Sequence, residues 1–261
     1  MFLDLVVQWV GIDMTDPLKI YWSPYYKCID TFTELNDDLS FLRFHPPEPL
    51  AKHIDLQNFF GHASRCPAIT DEVKSTYVIK SPLEFGVDID YDKTVIRFKQ
   101  ELYGEEFCKN MIGAPTTDKV HQLKYPSYMF FCAESLLMTS MPAFYHRNSF
   151  TENVMVFAAS YDINNWVRII KPAFKFCKTS KFEIERDDIL MYIKFNTNRP
   201  IKLIPFDSDN EEIRKIMEAC VNYKMYKEKW YIPDRLEQCY EAFNNYNLKR
   251  KMLRLVENLS Y

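Results

Sequence analysis

The sequence predicts an α+β fold whose core is a mainly antiparallel, jelly-roll-like β sandwich with a helical cap at the C-terminal end. Two observations carry this prediction. Between residues 75 and 205, short apolar or alternating runs recur at roughly ten-residue spacing, as the strands of a sandwich do. After residue 207, apolar residues recur three and four positions apart, which is the period of a helix.

Length and composition predict the domain organisation. A chain of 261 residues that is 47% hydrophobic can bury one continuous core. We therefore expect one globular unit. Residues 1–206 are the β-rich core, which carries an N-terminal apolar arm, and residues 207–261 are C-terminal helices packed on that core. The arm, MFLDLVVQWVGID, is too short to span a bilayer and is expected to pack on its own core or on a partner chain.

Side-chain alternation and apolar density predict the strands. The run KTVIRFKQEL alternates apolar and basic residues, as a half-buried antiparallel strand does. The runs YPSYMFFCAESLLMTSMP and NVMVFAAS are denser and predict buried strands. In NWVRIIKPAFKFCK, one strand face is expected to carry Ile170, Phe174 and Phe176. The run KFEIERDDILMYIKFNT predicts two strands joined at Arg186–Asp187.

Three helices are predicted near the C-terminal end. In SDNEEIRKIMEACVNYK the apolar spacing is helical, and Ser208 or Asp209 is the expected N-cap. A second helix is expected to begin near Pro233–Asp234. The third carries an apolar stripe formed by Leu248, Met252, Leu255, Val256 and Leu259.

The stretch RCPAITDEVKSTYVIKSP raises the question of a reactive or metal site, because three aspartates follow it at alternate positions. An EF-hand loop beginning at Asp88 would need glycine and glutamate where Lys93 and Lys99 stand. We therefore interpret the stretch as a structural entry into the sheet. In this interpretation Pro67 turns the chain, ITDEV forms one helical turn, and Tyr77 and Ile79 share one strand face.

Composition argues against several functional classes. The five glycines are widely separated, so the glycine-rich phosphate loops are missing from the sequence. The formal net charge is -3, which lacks the basic excess typical of nucleic-acid binding. Seven cysteines occur without a CxxC pair, which indicates reduced thiols in a cytosol.

One tripeptide suggests metal chemistry. His53 and Asp55, together with a distant histidine, match the two-His, one-carboxylate set that holds iron in non-haem oxygenases. The distant ligand would be His146 or His121. This alternative predicts a jelly-roll oxygenase that uses Fe(II) and 2-oxoglutarate. The surrounding LAKHIDLQNFF, however, favours a helix over the strand end where that motif normally lies.

A basic run, NLKRKMLR, suggests a second alternative. Lys249, Arg250, Lys251 and Arg254 lie opposite the apolar stripe of the last predicted helix. Such a face is typical of solvated helices, and contact with the phosphates of a nucleic acid is the functional alternative.

Two segments carry a resemblance. CPAITDEVKSTYVIKSP, and MYIKFNTNRPIKLIPFD followed by helices with NYK, resemble uncharacterised proteins encoded by tailed phages of marine bacteria, over residues 46–92 and 166–259. The resemblance implies a phage protein in the bacterial host cytoplasm, or associated with the virion, and it carries no activity. We therefore expect a binding or assembly protein that contacts a virion or host protein, with a homo-oligomer through the N-terminal arm as a further possibility.

Overall fold

A computed structural model describes residues 16–25, 44–55, 58–59, 61–90, 95–98, 112, 120–123, 126–165, 170–177, 181–216, 243 and 247–260. The fold is mixed α+β, and all but one of the strand pairs among these residues are antiparallel. The predicted N-terminal arm lies outside the described residues, as do Lys93 and Lys99. So does the predicted second C-terminal helix, except for Phe243.

The described chain consists mostly of strands, with a few short helices between groups of them. The strands are β1 (Leu18–Pro24), β2 (Glu48–Pro49), β3 (Thr76–Lys80), β4 (Phe85–Asp90), β5 (Val95–Phe98), β6 (His121–Gln122), β7 (Tyr128–Cys132), β8 (Leu137–Pro142), β9 (Val154–Val156), β10 (Ala159–Asp162), β11 (Ala173–Phe176), β12 (Lys181–Ile184), β13 (Ile189–Phe195) and β14 (Ile201–Pro205). The helices are α1 (Pro67–Ser75), α2 (Ser149–Asn153), α3 (residues 211–216) and α4 (Leu248–Asn258), with 3₁₀ turns at Leu50–Lys52 and Gly61–Arg65.

Two sheets form the centre of the fold. The front sheet has the order β14-β1-β7, and the back sheet has the order β10-β8-β13-β3-β2. In the front sheet, β1 runs parallel to β14, with Leu18 opposite Ile201, and antiparallel to β7. In the back sheet, β13 is the middle strand between β8 and β3.

One buried cluster contains side chains of both sheets. Alternate residues of each strand point into it, because successive side chains of a strand face opposite sides. The front sheet contributes Leu18, Ile20, Trp22, Tyr128, Phe130 and Cys132, and the back sheet contributes Tyr77, Ile79, Met138, Met191, Ile193 and Phe195. The intervening residues Met129, Phe131 and Tyr192 are buried on the other faces of the two sheets, which explains why β7 and β13 read as nearly continuous apolar runs.

The other face of each sheet is covered by helices. Tyr21, Met129 and Phe131 of the front sheet pack with apolar residues of the C-terminal part, namely Ile213, Ile216, Phe243, Met252 and Val256. Val78 and Tyr192 of the back sheet pack with Val73 of α1 and with Leu50 and Ile54. Apolar residues of described helices therefore pack against outer residues of both sheets.

Two smaller sheets share an aromatic cluster. Their orders are β6-β11-β9 and β12-β4-β5. The ring of Phe174 contacts those of Phe150, Phe176 and His121, at centroid distances of 5.2–5.7 Å. Ile170, Phe174 and Phe176 are all buried, as predicted. Ile170, however, precedes β11 and belongs to the inner cluster, so the three residues do not share one strand face.

Several local predictions can be compared with the structure. The turn at Arg186–Asp187 separates β12 from β13 as predicted, with Asp187 in the left-handed region at φ 72°. Helix α1 is longer than the predicted single turn and begins directly after Cys66. The N-cap of α3 is Asn210 rather than Ser208 or Asp209, because the Asn210 side chain accepts hydrogen bonds from the backbone amides of Glu212 and Ile213.

Phe174 gives a direct test of this packing. Replacing Phe174, which is fully buried, by alanine should lower the free energy of unfolding by about 3–5 kcal/mol, because the substitution leaves a cavity among aromatic rings. Phe157, just beyond β9 and 37% exposed, supplies the matched control, and its alanine variant should cost less than about 1 kcal/mol. Chemical denaturation checks both values. Equal losses in the two variants would contradict the described burial.

Candidate functional site

Three aromatic side chains form an exposed patch, here called the aromatic patch and defined as Phe59, Phe144 and Tyr145. Phe59 and Phe144 are each 54% exposed. The ring of Tyr145 lies 4.3 Å from that of Phe144 and 5.4 Å from that of Phe59, so the three residues form one surface. Isolated exposed apolar residues are normal, whereas contiguous ones mark interaction sites.

A tight turn after β8 presents Phe144 and Tyr145. The backbone amide of Phe144 donates to the carbonyl of Pro142, and that of His146 donates to the carbonyl of Ala143. Helix α2 then begins with a reciprocal capping box between Asn148 and Thr151. The turn is therefore fixed by β8 on one side and by a capped helix on the other.

The buried side chain of Tyr192, in β13, contacts this turn and holds it in place. Its hydroxyl accepts a hydrogen bond from the backbone amide of Tyr145 at 3.1 Å and lies 2.6 Å from Nδ1 of His146. Its ring also contacts that of Phe144, with 5.3 Å between centroids. One buried side chain thus holds three consecutive residues of the turn.

The electrostatics of this contact favour a neutral pair. Burial raises the pKa of Tyr192, so its hydroxyl stays protonated and donates to Nδ1 of His146. Burial also lowers the pKa of His146, although a hydrogen bond to the backbone of His53 opposes the effect. A neutral imidazole accepts at one nitrogen and donates from the other, which fits both contacts.

A charged group lies beside this pair. Nε2 of His53 is 2.6 Å from a carboxylate oxygen of Glu48, which also accepts a bond from Lys80 at 3.1 Å. Partial burial alone would raise the pKa of Glu48, but the bonds from Lys80 and His53 hold it below its ordinary value. The rings of His53 and His146 are 6.4 Å apart.

The structure places the predicted iron ligands in different surroundings. The structure brings His53 and His146 near each other, but the Asp55 carboxylate accepts hydrogen bonds from the backbone amide and the side chain of Asn58. His121 stacks against Phe174 instead. Within the described residues, no three His, Cys, Asp or Glu side chains are grouped to hold a metal ion.

The same three residues instead support the aromatic patch. The backbone carbonyl of Asp55 accepts a bond from the amide of Phe59, so Asp55 starts the helical turn that carries Phe59. His146 anchors the turn of Phe144, and His53 contacts His146. The HID tripeptide therefore lies beside the aromatic patch.

The predicted basic helix face is partly engaged within the chain. Lys249 donates to the side chain of Asn164, and Lys251 pairs with Glu212. Arg250 and Arg254 are exposed. This face therefore offers two exposed arginines at α4, and its two lysines contact other elements.

Sequence reasoning missed Glu48, Phe144 and Tyr192. Tyr192 lies in the apolar run ILMYIKF. The sequence does not show whether such a tyrosine only packs its ring in the core or also uses its hydroxyl to hold a turn. Phe144 follows Pro142 in MPAFYHR. Because phenylalanine is usually buried, its sequence position predicts a core residue and not an exposed one. A run of aromatic residues just after a strand-ending proline was the available signal.

The support from Tyr192 is testable by removing one oxygen. Tyr192→Phe should lower the free energy of unfolding by about 1–3 kcal/mol, because the amide of Tyr145 and Nδ1 of His146 lose their partner. Tyr77→Phe is the matched control, since the hydroxyl of Tyr77 has no hydrogen-bond partner among the described residues and should cost nothing. Thermal unfolding compares them. A loss confined to Tyr77→Phe would refute this account.

The lowered pKa of His146 predicts a pH dependence. Below the ordinary histidine pKa of about 6.5, the unfolded chain binds a proton that the folded chain resists, so the contribution of His146 is present above that pH and is lost as pH falls towards the lowered folded value. The difference in unfolding free energy between the unmodified chain and His146→Gln should therefore shrink between about pH 7.5 and pH 5. A difference that is constant or grows on acidification would contradict a neutral His146.

No family model matches the chain, and comparisons with curated proteins and with solved structures gave no match. None of the described helices is long and apolar enough to cross a membrane.

Proposed function

We propose that this chain is a binding or assembly protein that acts through protein–protein contacts, with the aromatic patch as its contact surface. The observation that carries the proposal is the exposure of Phe59 and Phe144 on either side of Tyr145. Aromatic residues are enriched at the centres of protein interfaces, where each buries a large apolar area.

The rigidity of the patch supports the same proposal. Phe144 and Tyr145 belong to a turn whose conformation is held by Tyr192 and by the capped helix α2. Phe59 belongs to a helical turn started by Asp55. A surface that is ordered before binding loses less conformational entropy when a partner docks, which favours tight association.

The partner we propose is a virion or host protein, as the resemblance to phage-encoded proteins suggests, and the bacterial host cytoplasm is the proposed location. The N-terminal arm is a proposed second contact, between copies of this chain. We also propose that the front and back sheets belong to a jelly-roll-like sandwich formed by residues 1–206, with the helices of residues 207–261 as its cap.

Each of two alternative functions is supported by one observation. The proximity of His53 and His146 is what remains in favour of an Fe(II) and 2-oxoglutarate oxygenase with His53, Asp55 and His146 as ligands. The exposed Arg250 and Arg254 favour an accessory nucleic-acid-binding role. Both are weaker than protein binding, because Asp55 bonds to Asn58 and the two lysines of the basic face bond within the chain.

The experiment compares how much partner protein is captured by a variant of the aromatic patch and by a variant of the exposed surface of β9. The tagged chain is expressed in bacterial cells, with and without phage infection, and co-purifying proteins are identified by mass spectrometry. The double variant Phe59→Ser, Phe144→Ser should lose at least about 90% of the partner, since interface aromatics often contribute more than 2 kcal/mol each. Met155→Ser is the matched control, because Met155 is 51% exposed on β9 and lies outside the patch.

The variants must also keep their fold. Both should retain the thermal midpoint of the unmodified chain to within a few degrees, since the replaced side chains are exposed. Equal capture by the double variant and by Met155→Ser would exclude the aromatic patch as the contact surface.

A further inference from the structure

Two exposed basic residues lie beside the aromatic patch. Lys52 directly precedes His53 in the chain, and Arg147 directly follows His146. The rings of these two histidines are 6.4 Å apart, and consecutive Cα atoms are about 3.8 Å apart, so both basic residues flank one contact. Tyr145 of the patch is the residue before His146. The patch and the two cations therefore occupy the same region of the molecule.

These cations are not paired within the part of the chain that the structure describes. Lys52 and Arg147 are exposed, and neither forms an ion pair with a described carboxylate. The same holds for Arg65, which ends the 3₁₀ turn that follows Phe59. An exposed cation without a partner in its own chain is available to a carboxylate of another molecule.

The local balance of charge is positive. The patch is carried by residues 50–65 and 143–147, which contain three Lys or Arg residues and one acidic residue, Asp55. The carboxylates of Glu48 and Glu72, on neighbouring elements, are each paired with a lysine. Because the whole chain has a formal net charge of -3, this region is a basic site on an acidic protein.

We propose that the partner segment that covers the aromatic patch is acidic, with apolar side chains against Phe59 and Phe144 and carboxylates beside Lys52 and Arg147. The inference rests on the proposed function, because it takes the aromatic patch as the contact surface, and it adds the chemical class of the partner. Opposite charges at the rim of an interface speed association and favour the matching partner, whereas a basic segment is repelled.

An acidic polypeptide fits this surface better than a nucleic acid does. A nucleic acid carries a charge at every phosphate and draws its affinity from several basic contacts. The two segments provide an excess of only two positive charges, on a chain whose net charge is negative. A short polypeptide segment that alternates carboxylates with apolar side chains matches both the number of cations and the aromatic rings between them.

The test measures the binding of two labelled probes to the full chain by fluorescence anisotropy, namely a random copolymer of glutamate and tyrosine and a random copolymer of lysine and tyrosine. The glutamate copolymer should bind, more weakly as salt is raised, and the lysine copolymer should not. The double variant Lys52→Glu, Arg147→Glu should weaken binding at least about 10-fold, because two attractions become repulsions. The control Arg250→Glu, Arg254→Glu makes the same change of net charge on α4 and should weaken binding less than about 2-fold.

Two further measurements separate charge from folding and from the aromatic contact. Both charge variants should keep the thermal midpoint to within a few degrees, because the replaced side chains are exposed. The double variant Phe59→Ser, Phe144→Ser should also weaken binding of the glutamate copolymer, since the tyrosine rings of the probe then lose the aromatic patch.

The outcomes separate this inference from the proposed function. Equal weakening by the two charge variants, equal binding of both copolymers, or no binding of the glutamate copolymer would overturn the acidic partner. Tighter binding of a labelled single-stranded oligothymidine would also overturn it, by assigning the surface to a nucleic acid. Capture from cells that depends on Phe59 and Phe144 upholds the proposed function even where the copolymers fail. Copolymer binding that needs Lys52 and Arg147 upholds the inference even where cells yield no partner.

Discussion

The central constraint of this structure is that the front sheet is buried on both faces. Leu18, Ile20 and Trp22 of β1 enter the inner cluster, while Tyr21 packs under the C-terminal helices. A sheet with two apolar faces needs a covering layer on each side, because exposed apolar area of that size is unfavourable in water. The back sheet supplies one layer and helices α3 and α4 supply the other. The back sheet in turn needs α1 over its outer face.

The register of β13 links this core to the aromatic patch and to helix α1. Its inward residues fill the inner cluster, whereas Tyr192 and Lys194 point outward. Tyr192 supports the aromatic patch and Lys194 pairs with Glu72 of α1. A slip of one residue would turn both outward side chains into the core. The packing that fixes the strand therefore also fixes the contacts of Tyr192 with the turn and of Lys194 with α1.

Many strand positions between residues 76 and 195 could be predicted from the sequence, but β1 and the strand partners could not. The turn at Arg186–Asp187 and the buried strands around residue 130 follow from local pattern. The pairing of β1 with β14 does not, because nothing within either strand encodes a neighbour so far along the chain. For the site, the HID tripeptide could be singled out from the sequence, but the contacts of its residues could not. The side chain and the carbonyl of Asp55 bond to Asn58 and Phe59, and local sequence alone does not predict these bonds.

The parallel pair β1 and β14 has a consequence for how the chain folds as it is made. The neighbouring contact from Arg199 to the carbonyl of Asp16 spans 183 residues, so this edge of the front sheet cannot close until most of the polypeptide has left the ribosome. Until then β1, which carries apolar residues on both faces, lacks its partner strand β14. Contacts between residues so far apart in the sequence slow folding, and they prolong the time for which aggregation-prone apolar segments are exposed. Newly synthesised copies should therefore depend on chaperones far more than the finished fold would suggest.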